Sequence, residues 1–168
     1  VDFERFEPFS VSNREEVRKE LNIPIDAKVL LYSGSLGGNY PVVDLFKLAK
    51  LWMSKYGNIG YFLVLSHADK AYIEVEAKRN GVNLEQLRSK DVEFKDMSKY
   101  LCGGDVGVVL YKKAFSVIGR SPTKLGEYWA CGLPAISLKG TGDLDILKAK
   151  YPEGLALLEN FTQEEVST

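Results

Sequence analysis

The sequence predicts an α/β domain: a parallel sheet of about six strands with helices on both faces. Three observations predict it. The runs Val29-Leu30-Leu31-Tyr32, Tyr61-Phe62-Leu63-Val64-Leu65 and Val106-Gly107-Val108-Val109-Leu110 are apolar without alternation, as strands buried on both faces are. Stretches with helical periodicity and clear start and stop signals lie between the runs. Glycine-bearing turns punctuate the exchange, so the order reads βαβαβαβαβαβ.

Composition agrees with a domain of this kind. A chain of 168 residues suits one domain, or one domain with an arm. Its hydrophobic share of 45% is enough for a sizeable core. The net charge of −1 argues against nucleic acid as a partner, which needs a basic surface, and leaves room for one local basic pocket. Cys102 and Cys131 have no metal-ligand spacing and sit among apolar neighbours, so buried thiols are expected rather than a disulfide. Neither a membrane span nor a signal peptide is predicted.

Residues 1–12 read as an arm, with Phe3, Phe6 and Phe9 in otherwise irregular sequence. Ser12-Asn13-Arg14-Glu15-Glu16 predicts a helix start, a capping hydroxyl followed by acids, with the helix ending near Leu21. The first strand, Lys28 to Ser33, runs into Gly34-Ser35-Leu36-Gly37-Gly38-Asn39-Tyr40 and a helix from about Pro41 to Tyr56. Strand, glycine turn and helix can admit phosphate, or the turn can simply need small residues; the residues alone leave both open. The second strand ends at Ser66-His67-Ala68-Asp69, followed by a helix to about Asn80. His67, the sole histidine, lies at the carboxyl end of a strand, where sites of such sheets form. A polar loop residue is the favoured reading, because no second histidine or acid arrangement completes a triad or metal site.

Asp91-Val92-Glu93-Phe94 is expected as a short third strand, and Met97 to Cys102 as a short helix stopped by Gly103-Gly104. The fourth strand, Val106 to Leu110, leads into a loop from Tyr111 to Arg120 that is long for a βα connection. The helix that follows has a written start and stop. Ser121 suits the N-cap, Pro122 the first position, Gly132 the left-handed residue past the end, and Pro134 forbids continuation. Ala135-Ile136-Ser137-Leu138 is then a strand, Gly140-Thr141-Gly142-Asp143 opens a helix to about Lys150, and Gly154 to Leu158 is the last strand before a helix after Phe161.

That central helix carries a charge anomaly. A capping box would place Glu or Gln at position 124, but Lys124 stands there with Arg120 just ahead of the cap. Cations at the positive end of a helix dipole cost about 0.3–1 kcal/mol each. They make sense beside a bound anion, since first-turn N–H groups already favour phosphate. Gly126 inside the helix costs about 1 kcal/mol against Ala, which fits a close approach to that face. Glu127 lies one turn in, on the side of Thr123 and Lys124, suited to hold a sugar hydroxyl. A solvated Lys124–Glu127 pair and a glycine that lets helices pack fit the same residues, and the helix alone does not choose. The loops at 34–40, 66–69 and 111–123 are expected to meet at the carboxyl ends of the strands, with this helix start pointing into the crevice.

With these residues laid out, the chain resembles the C-terminal half of a GT-B glycosyltransferase, most like the large family 4 of retaining enzymes. Val1-Asp2-Phe3-Glu4-Arg5-Phe6 looks like the family's entry into its second domain, and Leu31-Tyr32-Ser33-Gly34-Ser35-Leu36 like its first strand and glycine turn. Tyr100-Leu101 and Asp105-Val106-Gly107-Val108 match the step before the donor loop. The most specific block is Ser121 to Tyr128 continuing through Cys131-Gly132-Leu133-Pro134-Ala135-Ile136. The resemblance implies an interdomain arm over residues 1–12, a three-layer Rossmann-like nucleotide-sugar-binding domain over 13–168, and an N-terminal domain that this chain lacks. It implies that Glu127 holds the ribose hydroxyls. Ser121, Thr123 and Lys124, with Gly34, Ser35, Gly37 and Gly38 opposite, would hold the diphosphate. Backbone near Phe94 and Met97 would meet the base. Arg120 and Lys124 become the catalytic candidates, as stabilisers of the departing diphosphate. The sequence departs from the family at two points. Gly119 stands where the family often has a further Glu, with seven residues between it and the ribose Glu. Ser35 follows Gly34 without the family's Arg and Lys, and after the first strand no Lys comes before Lys47.

The implied function is transfer of a glycosyl group from a nucleotide diphosphate sugar to a glycan, polysaccharide or lipid-linked acceptor, with no cofactor and no metal. The implied place is cytoplasmic, with peripheral association at the inner membrane surface through the other domain. A nucleotide-sugar epimerase of the same architecture competes, as does a non-catalytic nucleotide-sugar-binding module, which Gly119 favours. A nicotinamide-binding domain is disfavoured, because no glycine fingerprint opens the first helix.

Overall fold

The computed structural model describes residues 6–37, 41–111 and 123–167. In chain order the elements are α1 (Val11–Glu20), β1 (Lys28–Ser33), α2 (Val42–Tyr56), β2 (Gly60–Leu65), α3 (Lys70–Arg79), β3 (Leu87–Lys90), α4 (Met97–Leu101) and β4 (Val106–Val108), then α5 (Thr123–Ala130), β5 (Ala135–Leu138), α6 (Leu144–Lys150), β6 (Leu155–Leu158) and α7 (Gln163–Ser167). The six strands form one sheet in the order β3-β2-β1-β4-β5-β6, every pair parallel. That is the doubly wound order, with a switch point between β1 and β4.

Unbroken apolar strands are buried on both faces, as their pattern requires. Val29, Leu30 and Leu31 are fully buried. Alternate residues of β1 enter opposite cores: Leu30 and Tyr32 pack with α2, α3 and α7, and Val29 and Leu31 with α4, α5 and α6. Both cysteines are buried free thiols.

One ionic cluster fastens α1 to the amino-terminal ends of the central strands β1 and β4. Arg18 is 1% exposed and bonds Asp105 at 2.9 Å, along with the carbonyls of Gly103, Ile25 and Ala27. Arg14 takes the other oxygen of Asp105 at 2.5 Å. Asp105 also accepts the Val29 N–H, at 2.7 Å, so one carboxylate holds α1, β1 and the approach to β4.

Two elements differ from the sequence reading. Helix α1 begins two residues earlier: Ser10, not Ser12, is the cap, its hydroxyl accepting the Asn13 N–H at 3.3 Å, and no acid lies in the first turn. Ser10 wins because Phe6 is buried and draws the arm onto the domain ahead of the helix. The third strand is Leu87–Lys90, not Asp91 to Phe94. As an edge strand it pairs only with β2, so a polar Leu-Arg-Ser-Lys sequence serves it. Residues Phe94–Asp96 instead form a 3-10 turn above the strand ends.

Candidate functional site

The switch point places the ends of β1 and β4 side by side, and the site grows from the residues just past them. Gly34 follows β1 with φ +120°, and its N–H bonds the Leu65 carbonyl at 2.8 Å. The backbone angle demands glycine, and a Cβ there would lie 2.5 Å from Lys124 Nζ, so any side chain would displace the ammonium from this place. Lys124 reaches back from the first turn of α5. Its ammonium lies 4.5 Å from the Tyr32 ring centroid and donates to the Tyr32 hydroxyl at 3.2 Å, which in turn donates to the Ser35 carbonyl at 2.6 Å. Burial pulls the Lys124 pKa down to about 8, against the attraction of Glu127. Burial likewise raises the Glu127 carboxyl above its ordinary value, and Lys124 opposes that rise.

Helix α5 sits low on the sheet because Tyr128 and Gly107 interlock. A Cβ on Gly107 would fall 2.4 Å from the Tyr128 ring, so only glycine in β4 lets the helix approach. The buried Tyr128 hydroxyl accepts the Ser33 N–H and hydroxyl, both at 3.1 Å, and donates to the Val108 carbonyl at 3.4 Å. Its pKa is pushed up to about 12 by burial. This fixes the rotation of α5, and hence the side on which Lys124 and Glu127 stand. The stop of α5 is as read, with Gly132 at φ +69°.

Gly34, Lys124 and Glu127 share a cavity of about 180 Å³ with Phe94, Met97 and His67. Ser33 and Val92 complete the lining. The structure thus brings together five of the candidates: Gly34, Phe94, Met97, Lys124 and Glu127. Ser35, Gly37 and Thr123 lie outside this lining, Ser35 and Thr123 exposed and Gly37 turning at φ +88°. Gly38, Ser121 and Arg120, together with Gly119 and Phe3, fall outside the described residues. Sequence reasoning missed the clamp of Tyr128 on Ser33. It also missed the partner of His67: Nδ1 of this ring bonds the Asp91 carboxylate from the end of the neighbouring strand. Nothing in the local pattern reports these pairs, which join residues 95 and 24 positions apart.

A larger cavity, about 610 Å³, opens at the opposite end of the sheet between Trp129, Tyr151 and Gly154. It has neither the strand-end glycine turn nor a helix start, so the smaller crevice is the better candidate despite its size.

No protein-family model and no curated protein matches the chain. Solved structures do. WaaG, a glycosyltransferase involved in lipopolysaccharide biosynthesis, superposes with a TM-score of 0.72 over 99% of this chain, at 16% identity. This is the fold of a GT-B glycosyltransferase half. The C-terminal domain of LpcC, a group 1 family glycosyltransferase from Francisella tularensis, matches at a TM-score of 0.64 and 17% identity, covering 99% of this chain and 84% of its own. HepE from Anabaena, solved with UDP and glucose, matches at 0.70 and 13% identity. The chain spans 43% of the WaaG structure and 43% of the HepE structure. At these identities the likeness is one of fold: a GT-B domain with its six-stranded parallel sheet. Among the described residues no helix is long and apolar enough to cross a membrane.

Proposed function

We propose that this domain binds the nucleotide diphosphate sugar donor of a two-domain glycosyltransferase. The observation that carries the reading is the glycine at φ +120° packed against a half-buried lysine, with a carboxylate one turn further along the same helix. The arrangement suits three parts of one ligand. Lys124 and the start of α5 meet the diphosphate, Glu127 accepts from the ribose hydroxyls, and Phe94 and Met97 offer an apolar wall to the base. UDP and glucose in the HepE structure support the same ligand class. Ser35, Gly37, Gly38, Thr123, Ser121 and Arg120 belong to this proposal as further diphosphate contacts. Stabilising the departing diphosphate by fixed cations and helix N–H groups is the catalytic contribution, which requires neither metal nor cofactor. Retention at the sugar, a second domain bearing the acceptor site, and a glycan or lipid-linked acceptor complete the reading.

Calorimetric titration with uridine and guanosine diphosphates, against a nicotinamide dinucleotide, tests it. Lys124→Glu removes a misplaced cation from the helix dipole, worth about 0.3–1 kcal/mol to the ligand-free fold, and it forfeits the Tyr32 contacts and sets a carboxylate beside Glu127, so ligand-free stability should not rise. The same change should weaken diphosphate binding by about 1.5–3 kcal/mol, since a charged hydrogen bond is lost. Glu127→Gln should leave stability nearly unchanged and weaken a ribonucleotide more than its deoxyribose counterparts. Unchanged affinity in both variants rejects the site.

A further inference from the structure

The nucleotide reading leaves one polar group of the cavity without a role. His67 is 77% exposed on its side chain, yet its ring is fixed by Asp91, itself 69% exposed. An exposed pair of this kind adds little to stability. The fold nevertheless brings the two together by register. Leu65 and Lys90 are the last paired residues of β2 and β3, and the Ser66 N–H bonds the Lys90 carbonyl at 3.0 Å. His67 is the second residue past the end of β2, and Asp91 the first past the end of β3. With Nδ1 engaged by Asp91, Nε2 is the ring nitrogen left to serve the cavity.

The strand order says which part of a ligand it would serve. Lys124 and Glu127 come from α5, after β4. Gly34 follows β1, His67 follows β2, and Val92, Phe94 and Met97 follow β3. Since β4, β1, β2 and β3 are successive neighbours, the cavity runs from a charged end to an apolar end, and His67 stands before the apolar wall. A nucleoside diphosphate lying with its phosphates at Lys124 brings its base to that wall. Its heterocycle then places ring faces against Phe94 and Met97 and polar edge atoms toward the remaining polar side chain. The hydroxyl of Ser33 is already committed to Tyr128.

We propose that His67 is a base-reading residue of this site, its Nε2 hydrogen-bonding the polar edge of the nucleobase, and that Asp91 is a positioning residue acting through Nδ1. This inference rests on the nucleotide reading above and adds a contact to it. In one protonation state Nε2 accepts from a ring or amino N–H, and in the other it donates to a carbonyl; both are edge contacts of a base.

The test is a set of titrations on the whole domain with ligands that contain different parts of the nucleotide. Wild type, His67→Ala, His67→Gln and Asp91→Asn are each titrated with uridine diphosphate, guanosine diphosphate, ribose 5-phosphate and inorganic pyrophosphate. For whichever nucleoside diphosphate the wild type binds more tightly, His67→Ala should weaken binding about tenfold. Its affinity for pyrophosphate and ribose 5-phosphate should stay within twofold of wild type. His67→Gln, which keeps a polar atom near the Nε2 position, should recover most of the loss. Asp91→Asn should weaken nucleotide binding two- to fivefold and spare pyrophosphate. Thermal unfolding of the ligand-free variants should match wild type, because both side chains are exposed. Wild-type affinity in His67→Ala, or an equal loss on pyrophosphate, overturns the base-reading role while the nucleotide reading stands. A wild type that binds neither nucleotide nor pyrophosphate overturns both.

Discussion

Lys124 shows how much one side chain can report. Its position was legible in the sequence, as a cation at the wrong pole of a helix. Its environment was not, because burial against Tyr32 and Gly34 joins residues about 90 positions apart in the chain, at a distance no local pattern records. That burial yields a pH prediction. The pKa falls from 10.5 to about 8 in the folded chain, so the unfolded chain binds more protons between those values. Stability therefore rises with pH across that window, and the cost of the buried charge is fully present below it. A diphosphate needs the charged form, so its affinity should run the other way. Nucleoside diphosphate binding should fall about tenfold between about pH 7 and pH 9.5 as the ammonium is lost. Lys124→Arg, whose guanidinium keeps its charge there, should flatten the profile. Titrations at the two pH values check this, and an equally steep fall in both proteins would remove Lys124 as the cause.

Among the elements, the arm is the one whose role the sequence only hinted at. Three phenylalanines in ten residues asked for a surface. Phe6 finds it: 4% exposed, it packs edge-on to Phe94 with centroids 5.7 Å apart. The next residue donates its N–H to Ser98 Oγ at 3.0 Å, so the arm braces the 3-10 turn and α4, one wall of the cavity. Phe9, in contrast, stays 46% exposed. Phe6→Ala should therefore cost about 3–5 kcal/mol in urea unfolding, as buried Phe truncations do. Phe9→Ala should cost less than about 1 kcal/mol. Equal, small costs would show that the arm is no part of the core. The shifted β3 teaches the same lesson in reverse. Asp91-Val92-Glu93-Phe94 alternates as a strand does, but pairing with β2 ends at Lys90, and the alternating stretch is spent on Asp91 for His67 and on the wall at Val92 and Phe94.

The whole molecule depends on joining its first helix to a sheet whose strands come from far along the chain, and Asp105 is the joint. It binds Arg14, Arg18 and the Val29 N–H together. Removing it leaves the Arg18 guanidinium buried without its counter-ion, against which its desolvation already weighs. Asp105→Ala should cost about 3–5 kcal/mol by chemical denaturation. Asp105→Ala combined with Arg18→Met should recover part of that, because the uncompensated charge is gone. If the double variant is no better than the single one, the buried charge is not what makes Asp105 necessary.

Burial pattern and punctuation were enough for the parallel α/β class, for most element boundaries, and for singling out Gly34, Lys124 and Glu127, which the fold gathers around one cavity. Each of these rests on local physics: apolar runs without alternation, glycine where φ turns positive, charge against a helix dipole. Tertiary structure alone decided the partners. The strand order, the Asp105 joint, the Tyr128 clamp on Ser33 and the His67–Asp91 pair each join residues that are distant in sequence. Such contacts are chosen by which surfaces the packed elements leave facing each other, and a side chain read in isolation carries no record of that choice.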